Sequence, residues 1–237
     1  MEGERKTLTQ LSVPICLETL FYMLSGMVDT LMLSSVSDQA VGAVGTANTY
    51  IGVFIIMFGV ISSGMVAVMS QNIGAGKPGI AYQARQLGLV FNALIGILMS
   101  FILAAFSGWI LKIVSIAPAL FEPAETYLKI VGGASFLNAL IPIFSSYLRV
   151  FGYTKHSLIG TVVGNVINII LNSLFLFVFN WGVMGVAAAT VFSKVVNLII
   201  VAAMGAVLIK AKQSPERAQP RKILAQTVSY THLRAHE

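Results

Sequence analysis

Six apolar stretches, roughly 11–33, 41–70, 87–111, 124–148, 158–179 and 185–209, take up most of this 237-residue chain. Each is long enough for a helix to cross a bilayer, which takes about 20 mostly apolar residues. Lipid offers the backbone no hydrogen bonds, so a spanning segment must satisfy its own, and a helix does so. The runs are too long and continuous for the weak alternation of a membrane barrel. Composition agrees. The chain is 57% hydrophobic and 10% charged, whereas a soluble domain carries about 25% charged residues. Mean hydropathy is +0.85. The expected fold class is all-α, a polytopic membrane helix bundle with six transmembrane helices whose main partner is the lipid bilayer.

The formal charge of +6 takes its meaning from where the cations lie. Arg5 and Lys6 precede the first stretch. Lys77 and Arg85 lie between the second and third, and Arg149 and Lys155 between the fourth and fifth. Lys210, Lys212, Arg217, Arg221 and Lys222 follow the sixth. The alternate loops hold Asp38, Lys112 and Glu122, and Lys129 lies just inside the fourth stretch. By the positive-inside rule both termini are expected in the cytoplasm. Trp109 and Trp181 then sit at the outer interface, and Tyr147 and Tyr153 at the inner one. No aromatic-interleaved basic face suggests nucleic acid. Cys16 is the single cysteine, so an internal disulfide is excluded.

The first stretch carries two carboxylates, Glu18 and Asp29. Glu18, Tyr22, Ser25 and Asp29 follow at steps of four, three and four, which places them on one helix face. A charge at that depth costs a few kcal/mol, and a segment that only anchored would avoid it. The functional reading is a cation or proton site. The ordinary alternative is an interhelical hydrogen bond, or an Asp29 wet at the surface.

A second polar cluster lies in the fifth and sixth stretches. Asn165, Asn168 and Asn172 share a face, and Thr190 and Lys194 lie four apart. Counted from the outer ends at about 1.5 Å per residue, Asp29, Asn172 and Thr190 lie within roughly 5 Å of one level. Amide and hydroxyl oxygens beside a carboxylate suit Na⁺, or a network that holds a proton. They are equally the groups that join membrane helices. Lys194 could pair with Asp29 in place of a cation or snorkel towards an aqueous cleft; the sequence leaves both open. In the fourth stretch Gly132 and Gly133 weaken the helix, and Pro142 removes the hydrogen bond to the Asn138 carbonyl. A kink, and a candidate hinge, is expected at Pro142. Gln71–Gly79 is Gly-rich but lacks phosphate-loop spacing and reads as a tight turn. Ser115–Pro123 reads as an outer loop.

With these motifs in order, the chain resembles the amino-terminal half of the multidrug and toxic compound extrusion (MATE) family. The motifs are P-x-x-x-E followed by V-D-T in the first helix (Pro14, Glu18, Asp29), Q-x-x-G-A-G at 71–76, L-R-x-x-G-x-T-K at 148–155, and N-x-x-L-N at 168–172 followed by G-V-x-A-A-T ending at Thr190. The resemblance implies a secondary active antiporter of two six-helix lobes in the plasma membrane, of bacterial type. It exports small organic cations, amphipathic in character, and takes up Na⁺ or H⁺ as coupling ion with no cofactor. It also implies that the ion is held by Asp29, Asn168, Asn172 and Thr190. Glu18, Tyr22 and Lys194 are expected as modulators from their own positions, and Lys194 is unusual beside Thr190. Asn172 stands where many members have an acid, leaving one carboxylate in place of two.

The resemblance divides the chain into a cytoplasmic segment at 1–10, a six-helix lobe at 11–209 and a cytoplasmic inter-lobe linker at 210–226. Residues 227–237 resemble a translated adapter tail, so Tyr230, His232 and His236 stay outside the site, and a carboxy-terminal lobe is missing. Two rivals remain: a lipid-linked saccharide flippase of the same superfamily, with a more cationic cleft, and a non-transporting membrane scaffold. An intramembrane hydrolase would need a nucleophile beside a histidine or paired aspartates in the membrane. His156, the one histidine outside the tail, lies in a turn, so no enzyme is expected.

Overall fold

The structure, a computed structural model, describes residues 8–209. The linker at 210–226, the tail at 227–237 and most of the 1–10 segment lie outside the described residues. The elements are α1 (Leu8–Ser34), α2 (Asp38–Gly74), α3 (Pro78–Ala105), α4 (Ser107–Ile113), α5 (Pro118–Tyr127), α6 (Ser135–Val150), α7 (Thr154–Ser173) and α8 (Gly182–Leu208). A π-helical turn, Leu128–Gly132, follows α5, and another, Leu174–Val178, follows α7. No strand occurs among the described residues. Five segments are long and apolar enough to cross a membrane, drawn from α1, α2, α3, α7 and α8. The sixth span is broken: Pro118–Gly132 and Ser135–Val150 meet the same test together, bent by 42°.

The short turns follow from their residues. Gly76 (φ 73°) ends α2 in the left-handed region. The Lys77 N–H reaches back to the Asn72 carbonyl at 2.7 Å and Gly76 N–H to Ile73 at 3.0 Å, the double bond that closes a helix end on glycine. Gly152 (φ 82°) does the same after α6, with Tyr153 N–H on the Leu148 carbonyl at 2.8 Å. Pro78 and Pro118 then stand at helix starts, where a missing N–H costs nothing.

Three sequence expectations need correction. The third apolar stretch is not one element: α3 starts at Pro78 and ends at Ala105, and the short α4 follows. Ser115–Pro123 is not a loop throughout, because α5 begins at Pro118 and carries Pro123 inside it. The bend expected at Pro142 lies instead between Gly132 and Ser135, and α6 runs through Pro142. Packing explains the shift. A Cβ at Gly132 would lie 2.9 Å from Leu103 Cβ, and one at Gly133 would lie 3.3 Å from Ala104 Cβ. The glycine pair lets the broken span lean onto α3.

Helices in lipid associate by packing and hydrogen bonding, since acyl chains are as apolar as leucine. The closest pairings are α7 with α8, α3 with α6, α1 with α7 and α2 with α3. One buried apolar cluster surrounds Leu33, Ile51, Leu103, Tyr127 and Val186; the other surrounds Met65, Met69, Ile143, Tyr147 and Val201. Outward faces are apolar, with Met27, Leu31, Ile56, Leu94, Phe101 and Val207 exposed, as lipid contact requires.

Candidate ion-binding site

The described part of α1 buries few side chains: Pro14, Glu18, Asp29 and Leu33. Two of these are carboxylates, so this helix docks largely through polar groups. Asp29 is 3% exposed. Its Oδ1 accepts from Asn172 Nδ2 of α7 at 2.5 Å, and its Oδ2 accepts from Thr190 Oγ1 of α8 at 3.1 Å. Asn172 Nδ2 also faces Asn168 Oδ1 at 3.4 Å. All four residues expected at the site are therefore buried together. The helical steps 168 to 172 on α7 and 186 to 190 on α8 bring amides and hydroxyl to one level, as spacing requires.

Hydrogen-bond inventory shows what this set can do. Thr190 has one hydroxyl proton. Its Oγ1 lies 2.8 Å from the Val186 carbonyl and 3.1 Å from Asp29 Oδ2, so it donates to one at a time. When it turns to Val186, its lone pairs are free beside the carboxylate. Asn172 Oδ1 and Asn168 Nδ2 are buried without a partner. Buried polar atoms are nearly always paired, and an amide turned over exchanges its oxygen and nitrogen. A turned Asn172 would place a second neutral oxygen beside Asp29. The residues can thus offer one carboxylate, two amide oxygens and one hydroxyl, the hard oxygen donors that a small cation takes.

The remaining expectations divide. Asn165 is a clip: its Nδ2 donates to the Phe21 carbonyl at 2.6 Å. Tyr22 is 52% exposed and stands outside the hydrogen-bonded set. Only one side of α1 is covered by α7, and the face that looked continuous in sequence turns partly outward. Lys194 is half-buried, one turn from Thr190 and within electrostatic range of Asp29. Among the described residues the ion pairs within 4.0 Å are Lys129–Glu125 and Arg149–Glu18, so Lys194 does not close directly on Asp29. Glu18 is buried far from Asp29, against Ser157 and Arg149.

Sequence reasoning missed Tyr127. It is buried at the end of α5, and its hydroxyl comes within interaction range of Thr190, Asn48 and Asp29. Its signal was the broken span itself, since a π-helical turn follows it directly and such turns gather at functional sites. The second π-helical turn begins two residues after Asn172. Close approach of α8 to that turn needs Gly185, where a Cβ would lie 2.8 Å from Phe175 Cβ.

A bundle of membrane-crossing helices closed around a single carboxylate, with amide and hydroxyl groups from two other helices, defines a multi-pass membrane protein with a candidate cation site at its core. The MatE family model matches residues 14–174. The chain belongs to that family of membrane transporters, which are not enzymes. It is 35% identical to the uncharacterized transporter YisQ of Bacillus subtilis, over 81% of this chain and 43% of that protein. It is 30% identical to the probable multidrug resistance protein NorM of Thermotoga maritima, over 81% of this chain and 42% of that one. The fold is that of the Vibrio cholerae MATE transporter VcmN in its bent form, with a TM-score of 0.81, 23% identity, and coverage of 95% of this chain and 51% of VcmN. The chain therefore spans less than half the length of YisQ and NorM and about half that of VcmN. Bacterial relatives fit a place in the plasma membrane.

Proposed function

We propose that this chain forms one lobe of a secondary antiporter that exports cationic amphipathic compounds in exchange for inward Na⁺ or H⁺. The observation that carries the reading is Asp29, 3% exposed and held by Asn172 and Thr190 from two further helices. An intramembrane carboxylate with such partners is a functional site by default. In this reading both termini face the cytoplasm, so Asp29 lies towards the outer side. A cation or proton arriving there neutralises the carboxylate. The charge-assisted bonds from Asn172 and Thr190, each worth about 1.5–3 kcal/mol, then weaken. Fewer ties then hold the Asp29 end of α1, so its equilibrium between docked and undocked positions shifts. A second lobe supplies the other wall of the substrate cleft, and movement of α1 changes which side that cleft opens to.

A lipid-linked saccharide carrier has less support, since Lys194 is the single basic residue within α8 and the buried acids keep the lobe interior from being cationic. The test uses a two-lobe transporter that carries this lobe. In vesicles with an imposed Na⁺ or H⁺ gradient, Asp29→Asn should abolish gradient-driven efflux of a fluorescent organic cation while the protein still inserts. Efflux equal to that of the unmodified transporter would remove Asp29 from the coupling role.

A further inference from the structure

At the end of α1 away from Asp29, Glu18 is 8% exposed. Its Oε1 accepts from Ser157 Oγ, at the start of α7, at 2.7 Å, and lies 3.7 Å from an Arg149 guanidinium nitrogen at the end of α6. Its other oxygen, Oε2, is buried with no partner. Arg149 is itself anchored, Nε donating to the Ser145 carbonyl at 3.3 Å. This arrangement repeats the one at Asp29. In each, a carboxylate of α1 takes a neutral donor from α7, Asn172 or Ser157. A third helix adds the Thr190 hydroxyl bond at Asp29 and the Arg149 charge at Glu18. Between them the Asn165 amide grips the Phe21 carbonyl at 2.6 Å. α1 is thus tied to α7 at three heights, and two of the three ties are acids.

We infer that Glu18 is a second proton-accepting site, whose protonation on Oε2 unlatches that end of α1 from α6 and α7 independently of Asp29. The free oxygen is where the proton bonds, and it comes from water at that membrane face. The carboxyl then loses its charge, the attraction of Arg149 goes, and the Ser157 bond falls from a charge-assisted to a neutral one, roughly half as strong. The titratable and charged groups at this end are Arg149 on α6, and Tyr153, Lys155 and His156 around the start of α7. Among the described cationic side chains Arg149 alone comes within 4.0 Å of the carboxylate. α8 contributes no charge there, since Lys194 sits one turn from Thr190. The site goes beyond the ion reading at Asp29 and does not depend on it.

The test uses this chain in lipid nanodiscs with Cys16 replaced by serine. Spin labels at exposed Val13 and Lys155 report the separation of α1 from α7 at the Glu18 end. Their distance distribution should change between alkaline and acidic buffer. Glu18→Gln should show the low-pH distribution throughout, whereas Asp29→Asn should keep the pH response. As a check that does not rely on the variant's stability, infrared difference spectra of the unmodified chain should show a protonated-carboxyl band at low pH. That band should persist in Asp29→Asn. A distribution that stays fixed across the range overturns the inference, as does a response lost in Asp29→Asn and kept in Glu18→Gln. The last result would leave the Asp29 reading standing.

Discussion

Thr190 illustrates how much one side chain decides. Its hydroxyl lies between the Val186 carbonyl and Asp29 Oδ2, and can satisfy either with its proton. Thr190→Val keeps the shape and removes the oxygen. Monovalent-cation binding, read by calorimetry in nanodiscs, should weaken by about tenfold, or about 1.4 kcal/mol. Asn172→Asp tests charge directly: a second carboxylate beside Asp29 should tighten Na⁺ binding about tenfold in the same measurement, because like charges gain from a shared counter-ion. These residues were legible in sequence because helical spacing and depth along each helix are local arithmetic. Tyr127, Ser157 and Arg149 were not. Each matters through the rotation of one helix against another, and nothing in their own segments states that rotation. The exposure of Tyr22 has the same origin: it shares a face with Glu18 and Asp29, but α7 covers only part of that face.

Among the elements, glycines rather than prolines set the shape. Pro142 draws the eye in sequence, yet the span bends at Gly132–Ser135, where α3 needs room. A proline announces its lost hydrogen bond, whereas a glycine reveals its purpose only when the neighbouring helix is known. The same logic gives stability predictions. At Gly160 a Cβ would fall 2.6 Å from Val201 Cγ1 and 2.8 Å from Asn197 Oδ1; at Gly96 it would meet Ala139 Cβ at 2.8 Å and the Phe136 backbone at 3.0 Å. Gly96→Ala should cost about 1–3 kcal/mol, the usual toll of overpacking, in denaturant unfolding of the detergent-solubilised chain. Gly59→Ala, which meets nothing within 4 Å, should leave stability unchanged within about 0.5 kcal/mol.

For the whole molecule, the number and kind of spanning segments followed from apolar length alone, with the broken span as the exception. Orientation rests on the Lys and Arg pattern. In cells, cysteines placed at Lys77 and Lys155 should react with a membrane-impermeant thiol reagent only from the cytoplasmic side, and those at Asp38 and Glu122 only from outside; the reverse pattern would invert the lobe. Coupling between the lobes depends on whether Asp29 accepts an ion within this one. The most direct measurement records Na⁺ binding and proton uptake together, on this chain in nanodiscs. One Na⁺ or one proton per chain should be lost on Asp29→Asn and retained in Asn165→Ala, which removes only a clip to the α1 backbone. Uptake undiminished in Asp29→Asn would contradict the claim that this carboxylate, steadied by Asn168, Asn172 and Thr190, is the ion's place of binding.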